Sequence, residues 1–257
     1  MRYIISLMLV LFMFTAAKAE LITKTVEYMD GDVVLEGYLA YDDSFGGNIP
    51  GVMVVHEWTG INDYTKKRAE MLAELGYVAF AADIYGKGVR PQNTEEASKQ
   101  ASIYRQDREL MRSRANAGLN YLRELDLTDP SRIAAIGYCF GGGVVLELAR
   151  SGAEVNGVVS FHGNLDTPDP EDARNILGKV LVQHGAADPH VGQEQVMAFW
   201  DEMSNANVDW YMTAYGGAVH SFTNPNSGDD PSTGVAYSAE ADMRSWEEMQ
   251  DFFHEIF

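Results

Sequence analysis

The stretch that most constrains this chain is Gly137-Tyr138-Cys139-Phe140-Gly141, which holds its single cysteine. Arg132 to Gly137 reads as a short apolar strand, and Gly141-Gly142-Gly143 opens a helix over Val144-Val145-Leu146-Glu147-Leu148-Ala149. A strand that turns sharply into a helix, with a glycine two places to either side, presents its central side chain at the tip of a tight elbow. Glycines are needed there because the turn is strained and neighbouring backbone passes close to the tip. Most free cysteines are small buried hydrophobes. This elbow exposes its central residue, so Cys139 is read as a nucleophile.

The rest of the chain supplies a matching frame. Ile22 to Met29 and Val33 to Tyr41 read as strands around the turn Asp30-Gly31-Asp32. Gly51 to Val55 is a continuous apolar run, as in a central parallel strand covered on both faces. A helix pattern over Tyr64 to Leu75 stops at Gly76, and Tyr77 to Ala82 is the next strand. The charged stretch Thr94 to Leu125 reads as two helices. Val155 to Phe161, Val180 to His184 and Trp210 to Ala214 are further strands, with helices at Gln193 to Asn205 and Ser238 to Phe257. Strands alternating with helices predict an α/β fold, a mostly parallel central sheet with helices on both faces. Functional loops then lie beyond the carboxyl ends of the strands.

The N-terminus is set apart. Arg2 precedes the apolar run Tyr3 to Phe14, and Ala17-Lys18-Ala19 is a small-x-small cleavage pattern. The run is short for a membrane span, so residues 1–19 read as a secretory signal cleaved after Ala19, with no stable membrane insertion afterwards. Residues 20–257 then form a single domain in a periplasmic or secreted protein. Of 19 basic residues, removal of Arg2 and Lys18 leaves 17 against 38 acids, a formal −21. That balance repels phosphate backbones and argues against nucleic-acid and anionic-membrane partners. Asp166, Asp169, Glu171 and Asp172 lack the spacing of a calcium loop and read as a solvated loop. A lone cysteine has no internal disulfide partner.

A nucleophilic cysteine needs a base, and the base an orienting acid. In an elbow enzyme the chain order is nucleophile, acid, histidine, each on a loop after a successive strand. Of the histidines at 56, 162, 184, 190, 220 and 254, His220 follows the last strand and precedes the final helix. Asp188 follows the strand Val180 to His184 and is the acid. His190 is the rival base. His162 and His184 read as structural hydrogen-bonders at strand ends, and His254 as a surface residue. Asp83 reads as a loop cap or a ligand contact. Oxyanion donors are expected at the backbone N–H of Phe140 and of Trp58, the latter in the loop after Gly51 to Val55. Glu57, beside that hole, must be paired or swing away from developing negative charge.

Five motifs together resemble the dienelactone hydrolase (carboxymethylenebutenolidase) family of the α/β-hydrolase fold. They are His56-Glu57-x-x-Gly60, Ala82-Asp83-Ile84-Tyr85-Gly86, Gly137-Tyr138-Cys139-Phe140-Gly141-Gly142, His184-Gly185-x-x-Asp188 and His220-Ser221-Phe222. The resemblance implies Cys139 as nucleophile, His220 as base and acid, and Asp188 as its orienter. Glu57 matches the glutamate that contacts the resting thiol and helps activate it. In the family an arginine four residues beyond the histidine helps bind a substrate carboxylate; here that position is Asn224. Lys87 and Arg90 are candidates for the family's second substrate arginine. Tyr85, Trp58, Phe161 and Asn224 are expected to line the substrate pocket.

The resulting expectation is a cysteine-dependent hydrolase of small esters or lactones, working through an acyl-enzyme. No metal or organic cofactor is implied, since no histidine pair has metal-ligand spacing. The alternative is an exported, non-catalytic small-molecule binding protein on the same fold. A redox role for Cys139 would need a second thiol that the sequence lacks.

Overall fold

A computed structural model of the chain describes residues 20–257. The expected signal at 1–19 lies outside the described residues. The strands are β1 Leu21–Asp30, β2 Val33–Asp42, β3 Ile49–Val55, β4 Val78–Ala82, β5 Thr128–Tyr138, β6 Gly157–Phe161, β7 Lys179–Gly185 and β8 Trp210–Tyr215. The α-helices are α1 Asp63–Glu74, α2 Thr94–Gln106, α3 Arg108–Arg123, α4 Phe140–Arg150, α5 Gln193–Asn205 and α6 Ala239–Ile256. The strands form one sheet in the order β1-β2-β4-β3-β5-β6-β7-β8. β1 and β2 form an antiparallel hairpin closed at Asp30↔Val33, and β2 also runs antiparallel to β4. From β4 through β8 every pairing is parallel.

The apolar runs of β3 to β7 follow from burial on both faces. Alternate residues separate cleanly. Met53, Val55, Phe80, Ala82 and Ala135 pack with α2, α3, α4 and α5. Val52, Val54, Ala134, Ile136, Val159 and Phe161 pack with α1 and α6. Helix boundaries are set by side chains: Asn62 caps α1 by accepting from Thr65 N–H, and Gly76 leaves it with φ 92°. The expected break within 94–125 falls at Asp107, which ends α2 and caps α3 by accepting from Leu110 N–H. β5 begins earlier than expected, because Thr128 and Asp129 pair with Ile49 and Pro50 before a register shift at Pro50/Gly51.

All the parallel strands present their carboxyl ends on one side. There β3 leads to His56 and Glu57, β5 to the elbow, β6 to His162, β7 to Asp188 and β8 to His220. At the elbow Cys139 has φ 54° and ψ −116°, a strained conformation for a residue with a Cβ. A Cβ at Gly137 would lie 2.0 Å from the Gly141 carbonyl oxygen, and one at Gly141 would lie 2.3 Å from that of Val55. The two glycines flanking the tip are therefore steric necessities. Among the described residues no helix is long and apolar enough to cross a membrane.

Candidate active site

Cys139 is buried at the head of α4 and lines a cavity of about 800 Å³. His220 reaches it from the loop after β8, with Nε2 3.0 Å from Cys139 Sγ. The opposite nitrogen, Nδ1, lies 2.8 Å from Asp188 Oδ2. Asp188 is positioned by its own turn: its second oxygen accepts from the His190 backbone N–H at 2.8 Å. The three side chains named by chain order are thus joined in a continuous line.

The electrostatics agree with that line. Burial alone would lower the His220 pKa, but the Cys139 sulfur and the Asp188 carboxylate reverse this and raise it to about 10. Burial also works against a charged Asp188, yet the hydrogen bond from His220 holds its carboxyl below the usual range. The 3.0 Å contact places His220 Nε2 where a proton can pass between it and the sulfur. A thiolate beside an imidazolium is the reactive form of a cysteine.

Neither the Phe140 nor the Trp58 backbone N–H is taken by a hydrogen-bond acceptor among the described residues. The N–H of Cys139 itself is occupied, donating to Phe161 O and to His162 Nδ1. Trp58 lines the cavity. Its carbonyl accepts from Tyr85 Oη at 2.9 Å, which fixes the loop from behind.

Glu57 also lines the cavity, but its carboxylate does not hold the thiol. Oε1 accepts from Ser221 Oγ at 2.9 Å and Oε2 from Asn224 Nδ2 at 2.7 Å, while the sulfur is bonded to His220. Burial pushes the Glu57 pKa up, partly offset by those two donors. Of the paired or swung-away alternatives, the structure displays the paired one. Asn224 lies on the cavity wall, as expected, and clamps Glu57 as well.

Three expected pocket residues are not cavity-lining. Phe161 stacks on Tyr138 at 4.7 Å between centroids and packs with α1 and α6, on the far face of the sheet from Cys139. The alternation of β6 turns it there. Tyr85 is one layer back, packed on His56 and Phe140 behind Trp58. Arg90 turns toward the protein: its guanidinium donates to Val89 O at 2.8 Å and sits 3.8 Å from Asp83 and 3.5 Å from Glu36. Those carboxylates hold it away from the thiol. Asp83 is a loop cap, accepting from the N–H groups of Tyr85, Gly86 and Glu36. His190 lines the cavity, with its ring 5.2 Å from that of His220, and contributes its backbone N–H to Asp188.

The cation that does line the cavity is Arg105, on α2. It donates to Asn164 Oδ1 at 2.8 Å and lies over the Phe140 ring at 6.0 Å. Its only sequence signal was the charged helical face on which it stands. Among the described residues no group of three or more His, Cys, Asp or Glu side chains is arranged to hold a metal ion.

A strand-elbow-helix carrying this thiol, on a mostly parallel eight-stranded sheet, is the α/β-hydrolase fold. The model of the dienelactone hydrolase family matches residues 35–257, and the chain belongs to that family. It is 42% identical to a dienelactone hydrolase-like promiscuous phosphotriesterase from metagenomic libraries, covering 92% of this chain and 99% of that one, with a TM-score of 0.88. It is 26% identical over 89% of its length to a putative carboxymethylenebutenolidase of Aquifex aeolicus, of which it covers 96%. A probable 2-oxo-3-(5-oxofuran-2-ylidene)propanoate lactonase of Bradyrhizobium sp is 26% identical over 68% of this chain and 74% of its own.

Proposed function

We propose that the protein hydrolyses small carboxylic esters or lactones through an acyl-enzyme on Cys139. The observation that carries this is the line Cys139 Sγ to His220 Nε2 at 3.0 Å and His220 Nδ1 to Asp188 Oδ2 at 2.8 Å. The Cys139 thiolate attacks the carbonyl carbon, and the carbonyl electron pair moves onto oxygen. The backbone N–H groups of Phe140 and Trp58 receive that oxyanion. His220 Nε2–H then protonates the departing alkoxide as the tetrahedral species collapses to a thioester. Water attacks the thioester with His220 as base, the thiolate leaves, and the acid is released. Asp188 keeps the Nδ1–H tautomer in place and stabilises the imidazolium. Because residues 1–19 read as a secretory signal, we place this activity outside the cytoplasm; the N-terminal residue of the mature protein, expected to be Glu20, tests that placement.

The lactonase and carboxymethylenebutenolidase names of two relatives support a lactone as substrate. The 42% identity to a promiscuous phosphotriesterase favours phosphotriesters as a second class, open to the same attack at phosphorus. Turnover of p-nitrophenyl acetate, an unsubstituted and a carboxylated butenolide, and diethyl p-nitrophenyl phosphate is measured with the wild type and Cys139→Ala. Cysteine-dependent turnover is expected, led by a carboxylic ester or lactone. Absence of cysteine-dependent turnover on all four substrates would favour an exported small-molecule binding protein instead.

A further inference from the structure

His162 has no part in the chemistry above, yet it is buried against it. The residue follows β6 with φ 40°, in the left-handed region that side chains rarely adopt. Its Nδ1 accepts from the Cys139 backbone N–H at 3.1 Å. A neutral imidazole that accepts at Nδ1 carries its proton on Nε2. That nitrogen lies 2.7 Å from Thr223 Oγ1, to which it donates. Burial, with the charges of His220 and Arg68, holds the ring well below the usual histidine range and so neutral.

Thr223 is held in turn. Its hydroxyl pairs with Tyr64 Oη at 2.6 Å, and its carbonyl accepts from Arg68 Nη2 at 2.6 Å. Arg68 is ion-paired with Asp242 of α6 and lies over the rings of Tyr64, Tyr138 and Trp246. Thr223 stands three residues beyond His220. One neutral ring therefore bridges the strained elbow that carries the nucleophile and the loop that carries the base. It also packs edge-on to His220, with 5.4 Å between centroids.

We propose that His162 is a positioning residue whose Nδ1 and Nε2 bonds fix the Cys139 backbone against the His220 loop and so set the contact between the Cys139 sulfur and the His220 imidazole. The inference rests on the reading of Cys139 and His220 as the reacting pair. Asp188 anchors only the imidazole's far nitrogen, so the distance from Sγ to Nε2 depends on how the two backbones are held. The His162–Thr223 bridge is the link by which the two backbones are tied together. The groups that face His220 are Cys139, Asp188, His162, His184, His190 and Glu57, so a lost bridge is read through the Cys139–His220 pair, with the others unchanged.

The test uses Thr223→Val, which keeps the shape and loses the hydroxyl, and Thr223→Ser, which keeps the hydroxyl. Iodoacetamide alkylation of Cys139 against pH is measured beside kcat and KM on p-nitrophenyl acetate. In Thr223→Val, kcat falls about tenfold, the size of one lost hydrogen bond, with KM little changed. Alkylation near pH ~6 slows similarly while that near pH ~9 does not, because a thiol depends on a cationic neighbour for its reactivity in acid and not in base. Thr223→Ser recovers most of both. His162→Asn, which keeps an acceptor for Cys139 N–H but cannot reach Thr223, shows the same acid-side loss and stands in if Thr223→Val does not fold. Wild-type alkylation profiles in Thr223→Val or His162→Asn would overturn the proposal, as would equal losses in the Val and Ser variants. Alkylation needs no substrate turnover. If the wild type hydrolysed nothing but Thr223→Val still lost acid-side reactivity, the bridge would stand and the hydrolase reading would fall.

Discussion

Asn224 donates Nδ2–H to Glu57 Oε2 at 2.7 Å, which makes the residue at the family's arginine position a partner of the buried carboxylate. With Ser221 on the other oxygen, Glu57 is fully engaged without the thiol, and the sulfur faces His220 directly. The nucleophile and base are thus in direct contact, with the carboxylate held to one side.

Glu57 carries a stability cost with a definite pH signature. Burial raises its pKa above the ordinary 4.5. A carboxyl with a raised folded pKa contributes stability below its unfolded pKa and loses it as pH rises through the folded one. Glu57→Gln, with one oxygen still facing Asn224 and its amide toward the Ser221 hydroxyl, is therefore expected to melt higher at neutral pH. A gain of about 1 kcal/mol would appear as roughly 2–4 °C in a domain of this size. The difference should shrink toward pH ~4, where Glu57 is already neutral. Asn224→Ala should melt lower, and much of that loss should vanish when Glu57→Gln is added, because the donor then serves no charge. Thermal melts across pH check all three.

His220 gives a second pH window. Its folded pKa of about 10 lies above the ordinary 6.5. The stability it contributes is fully present below about pH 6.5 and is lost as pH rises through about 10. Wild type should exceed His220→Gln in melting temperature most near neutral or mildly acid pH, with the gap closing toward pH 10. Asp188→Asn should keep the fold and lower kcat by about 10²–10⁴, because an amide no longer enforces the Nδ1–H tautomer. Steady-state kinetics with melts of the same samples separate the rate effect from unfolding.

Cys139→Ala should abolish turnover and leave the melting temperature near that of the wild type. Cys139→Ser should retain a trace, because a site arranged around a thiolate activates a hydroxyl poorly. Equal activity in wild type and Cys139→Ala would remove Cys139 as nucleophile.

What could be read from the chain was what local order encodes. The elbow glycines, the alternating strands and helices, and the succession Cys139, Asp188, His220 are all set by neighbours in sequence. The pocket walls were less legible. Phe161 looked like a lining residue, but a strand buried on both faces gives no polar mark of which side a residue takes. Arg90 was misplaced because the pull of Asp83 and Glu36 depends on where the chain returns. Arg105, the Glu57 clamp and the His162–Thr223 bridge rest on contacts between residues 59 to 167 apart in the chain, which no local pattern announces.

Arg105 predicts a charge preference. It is the guanidinium on the cavity wall, and Asn164 holds it over the ring of Phe140 beside the nucleophile. Arg105→Gln should raise KM for a carboxylated butenolide by about tenfold, the scale of one charge-assisted hydrogen bond, and leave the unsubstituted lactone nearly unchanged. Equal effects on both lactones would show that Arg105 shapes the wall without reading charge.

The elbow glycines can be separated by what a methyl group would meet. At Gly137 it would lie 2.0 Å from the Gly141 carbonyl oxygen, and backbone cannot retreat as a flexible side chain can. Gly137→Ala should therefore unfold the elbow or displace Cys139, losing turnover and several degrees of melting temperature. At Gly143, one turn into α4, the nearest atom is Asn164 O at 3.4 Å, an ordinary contact. Replacing a helical glycine by alanine is worth about 1 kcal/mol in helix propensity, roughly 2–4 °C here. Gly143→Ala should thus melt higher than the wild type with kcat retained. Opposite shifts in melting temperature from the same one-carbon change, six residues apart, are the outcome that distinguishes a sterically required glycine from a merely tolerated one. If Gly137→Ala instead folded and turned over as the wild type does, the close passage of backbone at the elbow would not be what fixes Cys139.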